Sequence, residues 1–257
     1  MTANILAPWW GESADPTIPP VVQRAEIMAA VLMLYKPDVV GLQEAQSPWI
    51  RSLEPYLTIL SEQYGIKYST LHTSHGGKQN LTSVLYRSDV LTAKESGVEV
   101  FSYWSGSYHM RNVTWTVFQK GSKQFMLANT HWAHETDEQK TLCAEEHAAF
   151  IQRMRSKYNI PIFSTGDYNA KPQDANMLSF LEKASVQSLR LQAMDAGVLA
   201  NKISGCGSVG GSRGEGNYID HIIGSGSYTV LRYETVTGSM VHWMSDHSPQ
   251  FADVIIK

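Results

Sequence analysis

Ile160-Pro161-Ile162-Phe163-Ser164-Thr165-Gly166-Asp167-Tyr168-Asn169-Ala170 is the stretch on which the fold turns. A short apolar run bounded by Pro161 and Gly166 predicts a buried strand over 160–166. The strand delivers Asp167 and Asn169 into a turn. Asp can take a proton or bind a cation. Asn can only orient a partner by hydrogen bonding. Together they suit the activation of one water beside an oxyanion. The competing reading is an Asx-turn that merely closes the strand. Other strands decide between the two, because several end the same way.

Working outward, Asp38-Val39-Val40-Gly41-Leu42-Gln43-Glu44 is a second apolar run ending in polar groups. Gln124-Phe125-Met126-Leu127-Ala128-Asn129-Thr130-His131 is a third. Tyr218-Ile219-Asp220-His221-Ile222-Ile223 carries its polar pair inside the run, and Ser245-Asp246-His247-Ser248-Pro249 reads as a turn before a last strand over 250–256. Asn4-Ile5-Leu6 resembles the tail of a strand that has barely begun, which suggests a cut or misassigned start. Further strands are predicted over 82–87, 113–119 and 228–237. The 113–119 run alternates as a half-buried antiparallel strand does. Helices are predicted over 22–35, 47–64 with a break or kink at Pro55, 137–157 and 176–183. In the 137–157 helix, Leu142, Phe150, Ile151, Met154 and Tyr158 form the expected buried side. Residues 201–217 are rich in Gly and Ser. They lack a Lys-Ser/Thr ending and open no helix, so a mobile surface loop is expected rather than a phosphate cradle.

The chain has 257 residues, 43% of them hydrophobic, enough for one large domain spanning 1–257. A net charge of −3 provides no long-range field for polyanions. Cys143 and Cys206 form no metal or redox spacing. No apolar run approaches the ~18 residues of a membrane span, and no leader is visible after Met1.

The polar groups at strand ends are Asn4, Glu44, Asn129, His131, Asp167, Asn169, Asp220, Asp246 and His247. In α/β architectures, sites form where strand ends converge. Carboxylates crowded there repel unless a cation neutralises them. Oxygen-rich ligands favour Mg²⁺ or Mn²⁺ over zinc. A hard cation, a water-activating Asp and donors aimed at an oxyanion describe phosphoester hydrolysis.

Asn4-Ile5, Gln43-Glu44, Asn129-Thr130-His131, Gly166-Asp167-Tyr168-Asn169, Ile219-Asp220-His221 and Ser245-Asp246-His247 together resemble the endonuclease/exonuclease/phosphatase family, across nearly the whole chain and in the family's order. The resemblance implies an α/β (α+β) four-layered sandwich: two mixed, mostly antiparallel sheets face to face, flanked by helices. It also implies roles. Glu44 would be the main metal ligand, with Asn4 nearby and Asp220 and Asp246 assisting. Asp167 would orient or deprotonate the attacking water, and Asn169 would hold that water or the phosphate. His247 would stabilise the five-coordinate state, with Asp246 fixing its tautomer. His131 would contact the phosphate from the other side. Arg111 could clamp a further oxygen, preceded by Tyr103 or Tyr108. Repair nucleases of the family carry a carboxylate where this chain has Leu6, which weighs against that activity.

Plainer readings stand beside these. His131 could be a core histidine, Asp220 the buried partner of an arginine, and Arg111 an ion-pair residue. Trp9, Trp10 and Trp243 could line a substrate rim or simply pack. His134, His72 and His75 have no motif around them. The expected partner is a phosphate-ester substrate, a small molecule rather than nucleic acid, met by a monomer. A nuclease would need Lys or Arg along a groove, for which Lys78, Arg87, Lys202 and Arg213 are the candidates. A non-catalytic module would be expected to lack Glu44, Asp167 or His247, and all are present.

Overall fold

The computed structural model describes residues 1–8, 15–75, 78–102, 111–200, 207–210 and 217–257. The strands are β1 (Thr2–Asn4), β2 (Val39–Gln43), β3 (Tyr68–Leu71), β4 (Ser74–His75), β5 (Lys78–Gln79), β6 (Val84–Arg87), β7 (Thr92–Val100), β8 (Asn112–Lys120), β9 (Lys123–His131), β10 (Ile162–Asp167), β11 (Gln187–Ser188), β12 (Leu199–Ala200), β13 (Asp220–Ser225), β14 (Tyr228–Thr235) and β15 (Gln250–Ile256). The helices are α1 (Val21–Tyr35), α2 (Ser47–Tyr64), α3 (Asp137–Lys157), α4 (Ala175–Ala184) and α5 (Leu189–Asp195).

A seven-stranded sheet, β12-β14-β15-β1-β2-β6-β3, faces a six-stranded sheet, β11-β13-β10-β9-β8-β7. Parallel pairing is confined to β1 with β2, β9 with β10, and β12 with β14, and the other neighbours run antiparallel. Period-2 alternation assigns each strand residue to one face. On β9 and β10, Met126, Ala128 and Ile162 point outward and pack with Ala144, Ala148, Ile151, Met177 and Phe180 of α3 and α4. On β2, Val40 and Leu42 point outward and pack with Ala25, Met28, Trp49 and Leu53 of α1 and α2. The inner faces meet in a third cluster containing Phe125, Leu127, Phe163, Ile222 and Tyr233. The order is helices, sheet, sheet, helices, as expected of the four-layered sandwich.

The inner faces change character along the strands. Phe125 and Leu127 give way to Asn129 and His131, and Phe163 to Thr165 and Asp167. On β2, Val39 gives way to Gly41 and Gln43. Asn129 staples the sheets where the polarity switches. Its Oδ1 accepts from Gln43 Nε2 (2.7 Å) and Thr165 Oγ1 (3.2 Å), and its Nδ2 donates to the carbonyl of Leu42 (2.8 Å). Asn129 therefore lies within the sandwich rather than at the site. All partners are buried, so the network must be satisfied to be tolerated.

Gly41 permits this approach, since a Cβ there would sit in hard overlap with Thr165 Oγ1 and Asn129 Oδ1. Gly41→Ala is expected to destabilise by ~1–3 kcal/mol or more, because neither polar partner can retreat without losing its bonds. Urea unfolding checks this, and an unchanged midpoint would mean the staple is loose.

Several expectations are corrected. β8 is buried along both faces rather than half-buried, because it lies under α3 on one side and the other sheet on the other. Leu142 is exposed, and the buried side of α3 carries Cys143, Ala144, His147, Ala148, Phe150 and Ile151. α2 runs unbroken through Pro55. Arg51 and Pro55 lie on the exposed face, where water can take the carbonyl that proline leaves unpaired. β7 was missed. It is a charged edge strand whose Glu95 and Glu99 pair with Lys157 and Arg153 of α3, and whose Gly97 lies against the Trp115 ring. The long 201–217 loop falls outside the described residues except at 207–210 and 217. No described helix is long and apolar enough to cross a membrane.

Candidate active site

Register brings the polar ends together. His131 and Asp220 are both paired with Asp167 across β10, on its parallel and antiparallel sides. Asn4 pairs with Gln43, which places Glu44 just beyond. Gly166 is needed for this register, since a Cβ there would lie 2.5 Å from the Thr130 carbonyl.

Three residues that border a cavity of about 480 Å³ have left-handed backbones: Leu6 (φ 54°), Glu44 (φ 60°) and Asn169 (φ 47°). This conformation is costly for a side chain as bulky as leucine. At Glu44 it turns the carboxylate back toward β1. Its Oε1 accepts from Asn4 Nδ2 (3.1 Å) and its Oε2 from the Ala7 amide (2.7 Å). Asn4 Nδ2 also donates to Asp167 Oδ2 (3.1 Å), so one amide joins two carboxylates. The Leu6 amide donates to Asn4 Oδ1 (3.1 Å), which fixes the orientation of the side-chain amide. Asn4 therefore presents its nitrogen to the carboxylates. It lies beside Glu44, as expected.

Asp167 is 2% exposed. Its Oδ1 accepts from the Asn169 amide (2.8 Å), and Asn169 Nδ2 is tied to the Trp132 carbonyl (3.0 Å). His131 Nε2 lies 3.4 Å and His247 Nε2 3.8 Å from Asp167 Oδ2. Burial pushes the Asp167 carboxyl up to about 6; the neighbouring Asp220 adds to this, and His247 opposes it. A proton acceptor poised near neutrality suits general-base work.

Behind His247 stands Asp220. His247 Nδ1 is 2.8 Å from Asp220 Oδ2. Burial opposes a charge on the ring, but Asp220 overcomes it and holds the imidazole well above its usual range. The tautomer is thus set by Asp220, not by Asp246 as expected. Adjacent turn residues direct their side chains apart, whereas β13 brings Asp220 in directly. Asp246 lines the cavity, its Oδ1 3.3 Å from Ser245 Oγ. Ser245 Oγ also bonds the Asn4 carbonyl (2.7 Å) and accepts from the His247 amide (3.1 Å), so the turn is pinned to β1.

Arg111 is 4% exposed and lines the cavity, with no carboxylate partner among the described ion pairs. Tyr103, Tyr108, Trp9 and Trp10 fall outside the described residues, as do Lys202 and Arg213. Arg87 is ion-paired with Asp89. Trp243 packs over Gly210 and is not among the lining residues. The sequence reading missed His134 and Gln46, which line the cavity, as does the segment 207–209. The segment is clipped to the Ser245–His247 turn and its approach by Gly207 N to the Asp246 carbonyl (2.7 Å) and Gly210 N to the His242 carbonyl (2.6 Å). No motif marks these contacts.

Beneath the site, His147 is wholly buried. Its Nδ1 accepts from Trp132 Nε1 (3.2 Å), so its Nε2 carries the hydrogen toward Ser164 Oγ (3.1 Å), which bonds the Tyr168 hydroxyl (2.7 Å). Burial lowers the His147 pKa to about 3 and the His221 pKa to about 4. Both fall below the unfolded value of ~6.5, so the unfolded chain binds the protons more readily. Their contribution to stability should be full above pH 6.5 and be lost at up to ~1.4 kcal/mol per pH unit per histidine as pH drops toward 4. His147→Gln should roughly halve that slope in urea titrations. An unchanged slope would place the acid sensitivity elsewhere.

The metal-ligand chemistry also fits. Asp167 and Asp220 bring carboxylate oxygens close together beside the charged His247, and Asp220 Oδ1 is buried without a partner. With Glu44 and Asp246 the donors are mostly oxygen, which suits a hard cation.

Many solved structures are similar in fold, and three of them span nearly the whole chain. A mannosyl-6-phosphatase from Bacteroides thetaiotaomicron is 19% identical, with 99% of this chain and 98% of that one covered and a TM-score of 0.79. The catalytic domain of human Nocturnin with bound sulfate is 17% identical, with 99% and 93% covered and a TM-score of 0.74. D. rerio TDP2 complexed with a single-strand DNA product is 18% identical, with 99% and 97% covered and a TM-score of 0.73. No curated protein matches in sequence. The model of the endonuclease/exonuclease/phosphatase family matches residues 1–247, and the chain belongs to that family.

Proposed function

We propose that this protein is a divalent-metal-dependent hydrolase of phosphate esters, acting on a small molecule, in which a water attacks phosphorus. The observation that carries the reading is the Asn4 amide bridging Glu44 and Asp167 beside His131 and His247. It joins a metal-type carboxylate to a basic one at a cavity that ends in imidazoles.

Glu44 would hold Mg²⁺ or Mn²⁺, with Asp246 in the same lining and Asp220 behind His247 adding negative charge. When bound, such an ion polarises a phosphoryl oxygen and offsets charge in the five-coordinate state. Asp167 takes the proton of the attacking water, helped by a pKa near neutrality. Asn169, fixed to the Trp132 carbonyl, keeps the Asp167 carboxylate aimed. His247 donates to a phosphoryl oxygen, its charge sustained by Asp220. His131 and Arg111 supply donors from the β9 side of Asp167.

A panel of phosphomonoesters and phosphodiesters with Mg²⁺, with Mn²⁺ and with EDTA tests this. Hydrolysis that EDTA abolishes and either ion restores is expected. No turnover of any substrate with either ion would sink the reading.

A further inference from the structure

Arg111 is the one Lys or Arg among the described residues lining the cavity, which also carries Asp15, Glu44, Asp167 and Asp246. A polynucleotide track needs repeated cations along its path. Among the described residues this lining offers one concentrated positive point. Arg111 Nε is buried and has no hydrogen-bond partner. Its Nη1 donates to the His131 carbonyl (3.4 Å) and its Nη2 to His134 Nδ1 (3.1 Å). A buried guanidinium without a carboxylate and with an idle N–H is costly, and an arriving anion relieves that cost.

His134 sits at the end of this chain of contacts. Guanidinium nitrogens only donate, so His134 Nδ1 accepts and the ring hydrogen is on Nε2. The side chain is 62% exposed, which leaves that second donor open to solvent at the cavity wall. The backbone beneath is held, because the His134 amide donates to Glu135 Oε2 (3.1 Å).

We propose that Arg111 and His134 act as one anion-reading unit that makes the site prefer phosphomonoesters over diesters, with His134 as the specificity-determining residue. The proposal rests on the hydrolase reading and names its substrate class. A terminal phosphate has three non-bridging oxygens and, near neutrality, a second negative charge. A diester has two such oxygens and a second alcohol arm. Glu44's ion, His247 and His131 can serve two oxygens. The Arg111–His134 pair adds donors for the third, where a diester would place its extra arm.

Rates on p-nitrophenyl phosphate and bis(p-nitrophenyl) phosphate with Mg²⁺ test this in the parent, His134→Ala and His134→Asn. The parent should favour the monoester. His134→Ala should lower monoester kcat/KM about tenfold, mostly through KM, the scale of one charge-assisted hydrogen bond. Its diester rate should stay within about twofold, since that contact is absent there. His134→Asn should recover part of the loss, because its oxygen can occupy the Nδ1 position and accept from Arg111. Calorimetric titration of Asp167→Asn protein with inorganic phosphate gives a readout without turnover. Adding His134→Ala should weaken phosphate binding about tenfold. A parent that prefers the diester, an equal loss on both esters, or unchanged phosphate binding would overturn the proposal. Failure of the hydrolase reading looks different: no ester is cleaved, while the phosphate titration still reports on the anion unit.

Discussion

Asp167→Asn is expected to lower kcat by ~10²–10⁴-fold, the usual worth of a positioned general base. The replacement keeps size and shape and removes only basicity. An asparagine oxygen can still accept from the Asn169 amide, as Asp167 Oδ1 does at 2.8 Å. The other position would then present an NH₂ to Asn4 Nδ2, costing that one bond. Stability should not fall in step. Burial raises the folded pKa of Asp167 to about 6, above the ordinary carboxylate value, so in the metal-free protein the charged form is a liability at neutral pH. The sign follows from linkage. A carboxyl with a raised folded pKa penalises folding above that pKa, and the penalty fades as pH falls toward 4. Metal-free Asp167→Asn should therefore be at least as stable as the parent at pH 7, losing that advantage near pH 4. Parallel urea melts and kcat measurements check both halves. Retained activity would remove Asp167 from the chemistry, and a collapse in stability would make the rate loss uninterpretable.

This coupling explains which parts of the site were legible in the sequence. Strand runs that begin apolar and end polar, such as Phe163-Ser164-Thr165-Gly166-Asp167, encode both the inner core and the edge where it opens. Alternation and polarity therefore placed Asp167, His131 and Glu44 near one another before any coordinates. Sequence is silent on which way a turn throws its side chains. Ser245-Asp246-His247 made Asp246 look like the partner of His247, yet Asp220, remote in sequence, takes Nδ1. The same silence hid the left-handed backbone of Glu44, whose carboxylate bonds Asn4 and Ala7. It also hid His134, whose significance comes from Arg111 on a different strand's approach. β7 escaped for another reason. Its charges, which protect a sheet edge, make it read as a loop.

The Asp220–His247 pair carries the second large expected effect. Asp220→Asn should cost ~10²–10³-fold in kcat, on the scale of removing one oxyanion donor and short of the ~10⁴ seen when a carboxylate behind an essential histidine is lost. Asp220 Oδ2 accepts from His247 Nδ1 at 2.8 Å and sustains the imidazolium against burial. An asparagine can still bond that nitrogen but supplies no charge. The ring then loses its main counter-charge against burial, with Asp167 and Asp246 left to support it, and its Nε2 is a weaker donor to the developing oxyanion. The loss should therefore shrink as pH falls and His247 is protonated again, within the range where the fold survives acid titration of His147 and His221. Asp167→Asn should show no such recovery, because the base is absent at every pH. Rate profiles of the two variants between pH 5.5 and 8, normalised to the parent, separate the roles. A loss in Asp220→Asn that is flat across this range would mean that Asp220 only positions the ring. No loss at all would mean that His247 does not need its charge.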